Sequence, residues 1–149
     1  MTDHIHPTKV LVVDDDRLVH ELLRILLDER AFSMSSAKNV TEAMKSIAAE
    51  TPDIIITDAM MPGESGFSLI EKVKAAPQTR DIPIILMTIL EDPDGSVMDA
   101  SGKADFSVNK PVYRSNIVAC VEKARQLIED RKTAKVMTAS RGDTARLGV

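Results

Sequence analysis

Two groups of acidic residues are the part of this 149-residue chain best suited to chemistry. Asp14, Asp15 and Asp16 follow the apolar run KVLVV, and Asp58 follows the run IIIT. Two carboxylates about 4 Å apart repel by roughly 4 kcal/mol at an effective dielectric near 20, so a cluster of them needs a cation or a proton. Oxygen ligands favour Mg²⁺, which accepts one or two carboxylates and keeps waters. For the Asp14 to Asp16 run alone, a solvated acidic turn is an equally good interpretation.

A hydroxyl and an ammonium group occupy similar positions further along the chain. Thr88 ends another apolar run, and Asn109, Lys110 and Pro111 follow a fourth. A lysine beside carboxylates can neutralise phosphate oxygens, and a hydroxyl can donate a hydrogen bond to one of them. Taken singly, Thr88 is more often a strand residue and Lys110 a surface charge. If they converge with the carboxylates, the set specifies an anion site.

The elements that must position these side chains can be predicted from the apolar patterning. Short runs rich in β-branched residues predict five buried strands: Lys9 to Val13, Phe32 to Ser36, Ile54 to Thr57, Ile84 to Thr88 and Phe106 to Val108. Helical periodicity alternates with them: Arg17 to Arg30, Asn39 to just before Pro52, Ser65 to Ala75, and Ser115 to about Arg131. Continuous apolar strands are typical of a parallel sheet that is covered on both faces.

Alternating strands and helices predict an α/β fold with a doubly wound parallel sheet. In such sheets ligands bind outside the carboxyl ends of the strands. We therefore expect Asp14, Asp15, Asp58, Thr88 and Lys110 to meet at one edge.

Two stretches lack the patterning of the rest. Proline, glycine and serine between Glu91 and Lys103 predict a short or mobile fourth helix. Beyond Lys132 the sequence becomes polar and aperiodic. We therefore predict a flexible N-terminus over residues 1–8, one domain over 9–131 and a flexible tail over 132–149.

Composition narrows the classes of function. The net charge is −4, there is no Trp, and the single cysteine cannot form an internal disulfide. No apolar stretch is long enough to cross a bilayer. These features argue against direct nucleic-acid binding and membrane insertion and predict a cytoplasmic protein.

The chain resembles the receiver domain of two-component response regulators, in the single-domain chemotaxis type. The resemblance rests on a set of residues in order and at compatible spacing: Asp14 and Asp15, Asp58 with Met61, Pro62 and Gly66, then Thr88, Lys110 and Pro111. It implies a flavodoxin-like sheet with strand order 2-1-3-4-5. It also implies a phosphorylation-dependent switch rather than an enzyme, catalysing only its own phosphoryl transfer and dephosphorylation.

The same resemblance implies a role for each site residue. Asp58 would accept a phosphoryl group from a sensor histidine kinase or a histidine phosphotransfer protein. Asp15, Asp58 and the main-chain carbonyl of Met60 would bind Mg²⁺ directly, and Asp14 through water. Thr88 and Lys110 would contact the phosphoryl group, and the Lys110–Pro111 bond would be cis. The first helix would meet the kinase through four residues: Arg17, Leu18, Glu21 and Leu22.

Departures from the family pattern leave other functions open. Ser107 occupies a position where receivers carry an aromatic residue that moves inward with the threonine, and Ile89 one where a small residue is typical. A receiver-like scaffold without phosphorylation and an N-terminal fragment of a longer response regulator are the alternatives. An aspartate-based phosphatase would need an acid at the position of Met60. The downstream target is not predicted.

Overall fold

Strands and helices alternate along the chain. The computed structural model describes residues 6–89 and 104–147, with side chains as far as residue 137. The elements are β1 (Thr8–Val13), α1 (Arg17–Leu26), β2 (Phe32–Ala37), α2 (Val40–Ala49), β3 (Ile54–Asp58), α3 (Gly66–Ala75), β4 (Ile84–Thr88), β5 (Phe106–Asn109) and α4 (Arg114–Leu147). The helix predicted between Glu91 and Lys103 lies outside the described residues, as does most of the predicted flexible N-terminus.

The five strands form one parallel sheet in the order β2-β1-β3-β4-β5, which confirms the predicted α/β fold and strand order. Val13 of β1 pairs with Thr57 of β3, and Asp58 pairs with Met87 of β4. The carboxyl ends of these three strands are therefore level with one another at one edge of the sheet.

Apolar side chains pack on both faces of the sheet. Alternate residues of each strand point to opposite faces, so Leu11 and Val13 pack on one side while Val10 and Val12 pack on the other. Helices α2 and α3 cover the first side, and α1 and α4 cover the second. This two-sided burial explains why the strands are continuously apolar.

Helix α4 is longer than the sequence predicts. It continues to Leu147, whereas the loss of periodicity predicts an end near Arg131 and a flexible tail from residue 132. Residues 132–141 contain neither proline nor glycine, and adding residues to an existing helix costs far less than nucleating one. Residues 132–137 are exposed, so the extension does not depend on core packing. Neither α4 nor any other helix in the described part of the chain is long and apolar enough to span a bilayer.

Candidate functional site

Three carboxylates meet at the carboxyl edge of the sheet. Asp14 and Asp15 follow β1, and Asp58 is the last residue of the neighbouring strand β3. One carboxylate oxygen from each lies within 4.8 Å of the other two. Asp14 is fully buried and Asp58 is 8% exposed, whereas Asp15 is exposed. The cluster therefore has a desolvated interior and one side open to solvent.

Lys110 reaches the cluster from the segment after β5. Its Nζ lies 2.8 Å from Oδ2 of Asp14 and 3.4 Å from Oδ1 of Asp58. The main-chain N–H of Lys110 donates to the carbonyl of Thr88 at 2.9 Å, and the Lys110–Pro111 bond is cis. One ammonium group thus bridges the two buried carboxylates.

Burial and repulsion act on the two groups most central to the cluster. Desolvation, followed by the charge of Asp14, raises the pKa of Asp58, and this outweighs the opposing effects of Lys110 and a hydrogen bond from the main chain of Met60. Desolvation lowers the pKa of Lys110, but its hydrogen bond to Asp14 and the charges of Asp14 and Asp58 outweigh this, so the net pKa is raised. Lys110 therefore stays protonated, and Asp58 carries an electrostatic penalty when ionised.

Thr88 and Met60 lie beside Asp58 in different ways. Thr88 is the last residue of β4, opposite Asn109 of β5, and is 6% exposed. The main-chain N–H of Met60 donates to the Asp58 carboxylate, while 56% of Met60 is exposed. The contact of Thr88 with a phosphoryl group and the Met60 carbonyl as a metal ligand remain predictions.

Gly66 allows helix α3 to begin directly against Asp58. A Cβ at this position would stand 2.1 Å from the main-chain oxygen of Asp58, far inside contact distance. The N–H of Gly66 donates to the carbonyl of Ala59 at 3.0 Å, and Ser65 caps the helix by accepting from the N–H of Ser68. The absent side chain thus fixes the backbone that carries Asp58.

The donor set fits Mg²⁺. Asp14, Asp15 and Asp58 provide hard oxygen ligands, and Lys110 is the one cation paired with them among the described residues. With all groups ionised, one ammonium leaves two of the three negative charges uncompensated. A divalent cation at the open, Asp15 side of the cluster would balance them.

The sequence gave no reason to single out His20, which also touches the site. It lies on α1, is 8% exposed, and its Nε2 is 2.7 Å from the main-chain oxygen of Asp14. A histidine at helical spacing with the buried Leu23 could have predicted burial, but its contact is with the backbone, which leaves no signature in the sequence.

The residues that depart from the family pattern lie at the surface. Ser107 is exposed, and the neighbouring Phe106 packs in the cluster beneath α1 and α4, on the opposite face of β5 as strand alternation predicts. Ile89 is 72% exposed, so its side chain does not fill the interior of the site.

Comparison with known proteins agrees with the geometry. The model of the response regulator receiver domain matches residues 10–122. The chain is 37% identical over 105 residues to the response regulator PleD of Caulobacter vibrioides, covering 70% of this chain and 23% of PleD. It is 27% identical over 129 residues to the phosphate regulon transcriptional regulatory protein PhoB of Escherichia coli, covering 87% of this chain and 56% of PhoB. The chain therefore spans about half the length of PhoB and less of PleD.

A solved structure with the same fold is similar over most of the chain. It is the response regulator protein TrrA from Thermotoga maritima in complex with Mg²⁺ and BeF, with 30% identity, a TM-score of 0.69, and coverage of 78% of this chain and 98% of TrrA. The family model alone covers well over half of the residues. The chain belongs to the response regulator receiver domain family.

Proposed function

We propose that the chain works as a phosphorylation switch in which Asp58 is the phosphoryl acceptor. The observation that carries this proposal is the position of Asp58, a nearly buried carboxylate between two further carboxylates and the Lys110 ammonium. A desolvated acid whose ionised form is disfavoured by burial and by Asp14 gains from a nearby cation. Such perturbed groups are concentrated at functional sites.

The chemistry is an in-line transfer from a phosphohistidine. A carboxylate oxygen of Asp58 attacks phosphorus, the P–N bond to the histidine breaks, and an acyl phosphate forms with the three other phosphoryl oxygens retained. Asp15, Asp58 and the Met60 carbonyl would hold Mg²⁺, with Asp14 acting through water, and the ion supplies charge neutralisation when bound. Lys110 pairs with a phosphoryl oxygen, and the Thr88 hydroxyl donates to another.

Phosphorylation would redistribute the contacts of Lys110. This ammonium is shared between Asp14 at 2.8 Å and Asp58 at 3.4 Å. A phosphoryl group on Asp58 adds negative charge beside it and an acceptor beside Thr88, which biases a pre-existing equilibrium between two conformations. Moving a population from 1:99 to 99:1 takes about 5.5 kcal/mol of differential interaction, within reach of a few charge-assisted contacts.

The partner that donates the phosphoryl group would dock on α1. Three apolar residues of this helix form an outward row at helical spacing: Leu18 (68% exposed), Leu22 (37%) and Ile25 (80%). An exposed ion pair between Arg17 and Glu21 lies beside them. An apolar row with a charged rim suits a sensor histidine kinase or a histidine phosphotransfer protein that presents a helix.

A phosphatase is the weaker candidate. An aspartate-based hydrolase needs a second acid near its nucleophile, and the residue two positions after Asp58 is Met60, whose thioether cannot exchange protons. Hydrolysis of the acyl phosphate would then be slow self-dephosphorylation, which suits a switch.

Intact mass spectrometry tests the proposal. The wild-type chain is incubated with Mg²⁺ and a small-molecule acyl phosphate, beside Asp58→Asn and Asp15→Asn. We expect one phosphoryl group on the wild type, none on Asp58→Asn, and much slower uptake by Asp15→Asn. Equal uptake by wild type and Asp58→Asn would reject the assignment of Asp58, and no uptake by any of them, even with a kinase, would favour the scaffold.

A further inference from the structure

His20 is committed to one contact beside the carboxylate cluster. Its side chain is 8% exposed, and Nε2 lies 2.7 Å from the main-chain oxygen of Asp14. A carbonyl oxygen accepts but never donates, so Nε2 carries the hydrogen of this bond. Nδ1 is also buried and has no hydrogen-bond partner within the described residues. The ring therefore has one directional interaction, and it is with the backbone of the site.

The carbonyl that His20 holds belongs to the peptide unit between Asp14 and Asp15. A peptide unit is planar, so fixing the Asp14 oxygen also fixes the amide and the Cα of Asp15. This unit lies between the end of β1 at Val13 and the start of α1 at Arg17, in a turn whose carbonyl is outside the sheet and helix ladders. The side-chain bond from His20 replaces that ladder.

The rest of Asp14 is held by other partners. Its N–H donates to the carbonyl of Ala37 at 3.1 Å, Oδ1 accepts from the N–H of Asp16 at 2.8 Å, and Oδ2 accepts from Lys110 at 2.8 Å. The contact from His20 completes this set at the main-chain oxygen. Asp15, in contrast, is exposed, and its carboxylate has fewer neighbours to orient it.

We propose that His20 is a positioning residue, whose Nε2–H holds the Asp14–Asp15 peptide plane so that the Asp15 carboxylate stays within reach of Asp58. This inference rests on the proposed function, because it concerns the metal-binding step of that site. Groups that orient metal ligands commonly change metal affinity by about 10-fold to 100-fold when they are removed.

A matched pair of variants isolates the hydrogen bond. In His20→Gln the side-chain amide offers an N–H near the position of Nε2, whereas His20→Met has a similar length and no donor. Leu23→Ala is the control for packing, since Leu23 is fully buried on the same helix and away from the carboxylates. Each full-length chain is titrated with Mg²⁺ and followed by ¹H–¹⁵N NMR, with the Asp15 amide also recorded in the metal-free state.

We expect His20→Met to weaken Mg²⁺ binding by about 10-fold or more and to shift the metal-free Asp15 amide resonance. His20→Gln should restore affinity to within about 3-fold of wild type, and Leu23→Ala should lower the denaturation midpoint while the folded protein keeps its Mg²⁺ affinity. Unchanged affinity in His20→Met, or an equal loss in Leu23→Ala or in His20→Gln, would overturn the positioning role.

Failure of this inference differs from failure of the proposed function. A wild type that binds Mg²⁺ and takes up a phosphoryl group, beside a His20→Met variant with the same Mg²⁺ affinity, contradicts the role of His20 alone. A wild type that neither binds Mg²⁺ nor takes up a phosphoryl group contradicts the proposed function and this inference with it.

Discussion

Asp14 shows how a fully buried carboxylate is tolerated at this site. Both of its carboxylate oxygens accept hydrogen bonds at 2.8 Å, one from the Asp16 N–H and one from Lys110. An ionised carboxylate without such partners would be strongly disfavoured in a desolvated position. The same lysine also faces Asp58 at 3.4 Å, so it carries much of the charge balance of the cluster.

Replacing Lys110 by methionine should therefore destabilise the fold at neutral pH. The buried Asp14 loses its counter-charge, and Asp14 and Asp58 repel each other without screening. We expect a loss on the order of 2 kcal/mol, less than for a wholly buried pair because the lysine side chain is 17% exposed. Urea denaturation at pH 7 and at about pH 4 measures it, and the loss should shrink at the lower pH as carboxyls become protonated. A loss independent of pH would contradict the electrostatic account.

Asp58→Asn should have the opposite effect on stability. Burial and Asp14 raise the pKa of Asp58, so the folded chain binds this proton more tightly than the unfolded chain. Its contribution to the free energy of unfolding then falls as pH rises from the usual carboxyl pKa, about 4, through the raised value. Asparagine does not ionise, so thermal unfolding should show the variant to be more stable than wild type at pH 7 but not at about pH 3.

Mg²⁺ provides the control for this comparison. At ten times its dissociation constant, an ion that binds the folded state alone stabilises wild type by about 1.4 kcal/mol, and Asp58→Asn should gain less. A variant that is less stable than wild type at pH 7 without metal would contradict the strain assigned to Asp58.

At the scale of single residues, sequence could predict the site where a residue's role follows from its place at a strand end. Asp58, Thr88 and Lys110 each terminate or follow an apolar run, so parallel topology alone brings them to one edge. His20 could not be found in this way, because its partner is a main-chain oxygen six residues earlier and any residue type supplies such an oxygen.

At the scale of elements, the strands were predictable because two-sided burial makes them continuously apolar, and each predicted strand lies within about a residue of the observed one. Helix α1 was harder, since two apolar rows compete for its buried face. Leu23 is fully buried with Val19 and Leu26 packed at the same core, while Leu18 and Ile25 point outward. Periodicity alone does not say which row faces the sheet.

The outward row of α1 leads to a prediction about partner choice. Ile25→Glu should slow phosphoryl transfer from a histidine kinase by at least about 10-fold, because it puts a charge in an apolar contact. Uptake from a small-molecule donor should be unchanged. The measurement uses the kinase that phosphorylates wild type fastest in a purified panel, with Val136→Glu, an exposed apolar position on α4, as the matched control. Equal slowing in both variants would argue against docking on α1.

At the scale of the whole molecule, α4 is tied to the rest of the fold near its middle. Arg131 donates to the carbonyl of Asp81 and lies 3.5 Å from Asp105, which also pairs with Lys74 at 3.2 Å. Beyond this point the one described tie is an exposed pair between Lys135 and Asp81 at 3.8 Å. Sequence did not predict the extension, because helix propagation requires no apolar face.

A chain that ends after residue 132 should therefore keep the stability and the chemistry of the full chain. The lost ion pair is exposed and worth less than about 1 kcal/mol. Denaturant unfolding and phosphoryl uptake of the shortened chain check this. A loss above about 2 kcal/mol would mean that the extension packs on the domain and that the domain does not end near residue 131.

The central claim is that Asp58 itself carries the phosphoryl group, and chemical trapping tests it most directly. Borohydride reduces an acyl phosphate to an alcohol, so a phosphorylated aspartate becomes homoserine. After incubation with Mg²⁺ and a small-molecule acyl phosphate, reduction and peptide mapping, we expect homoserine at position 58 of the wild type and at no other aspartate. Homoserine at position 14 or 15, or none in a chain that gains phosphoryl mass, would contradict the account.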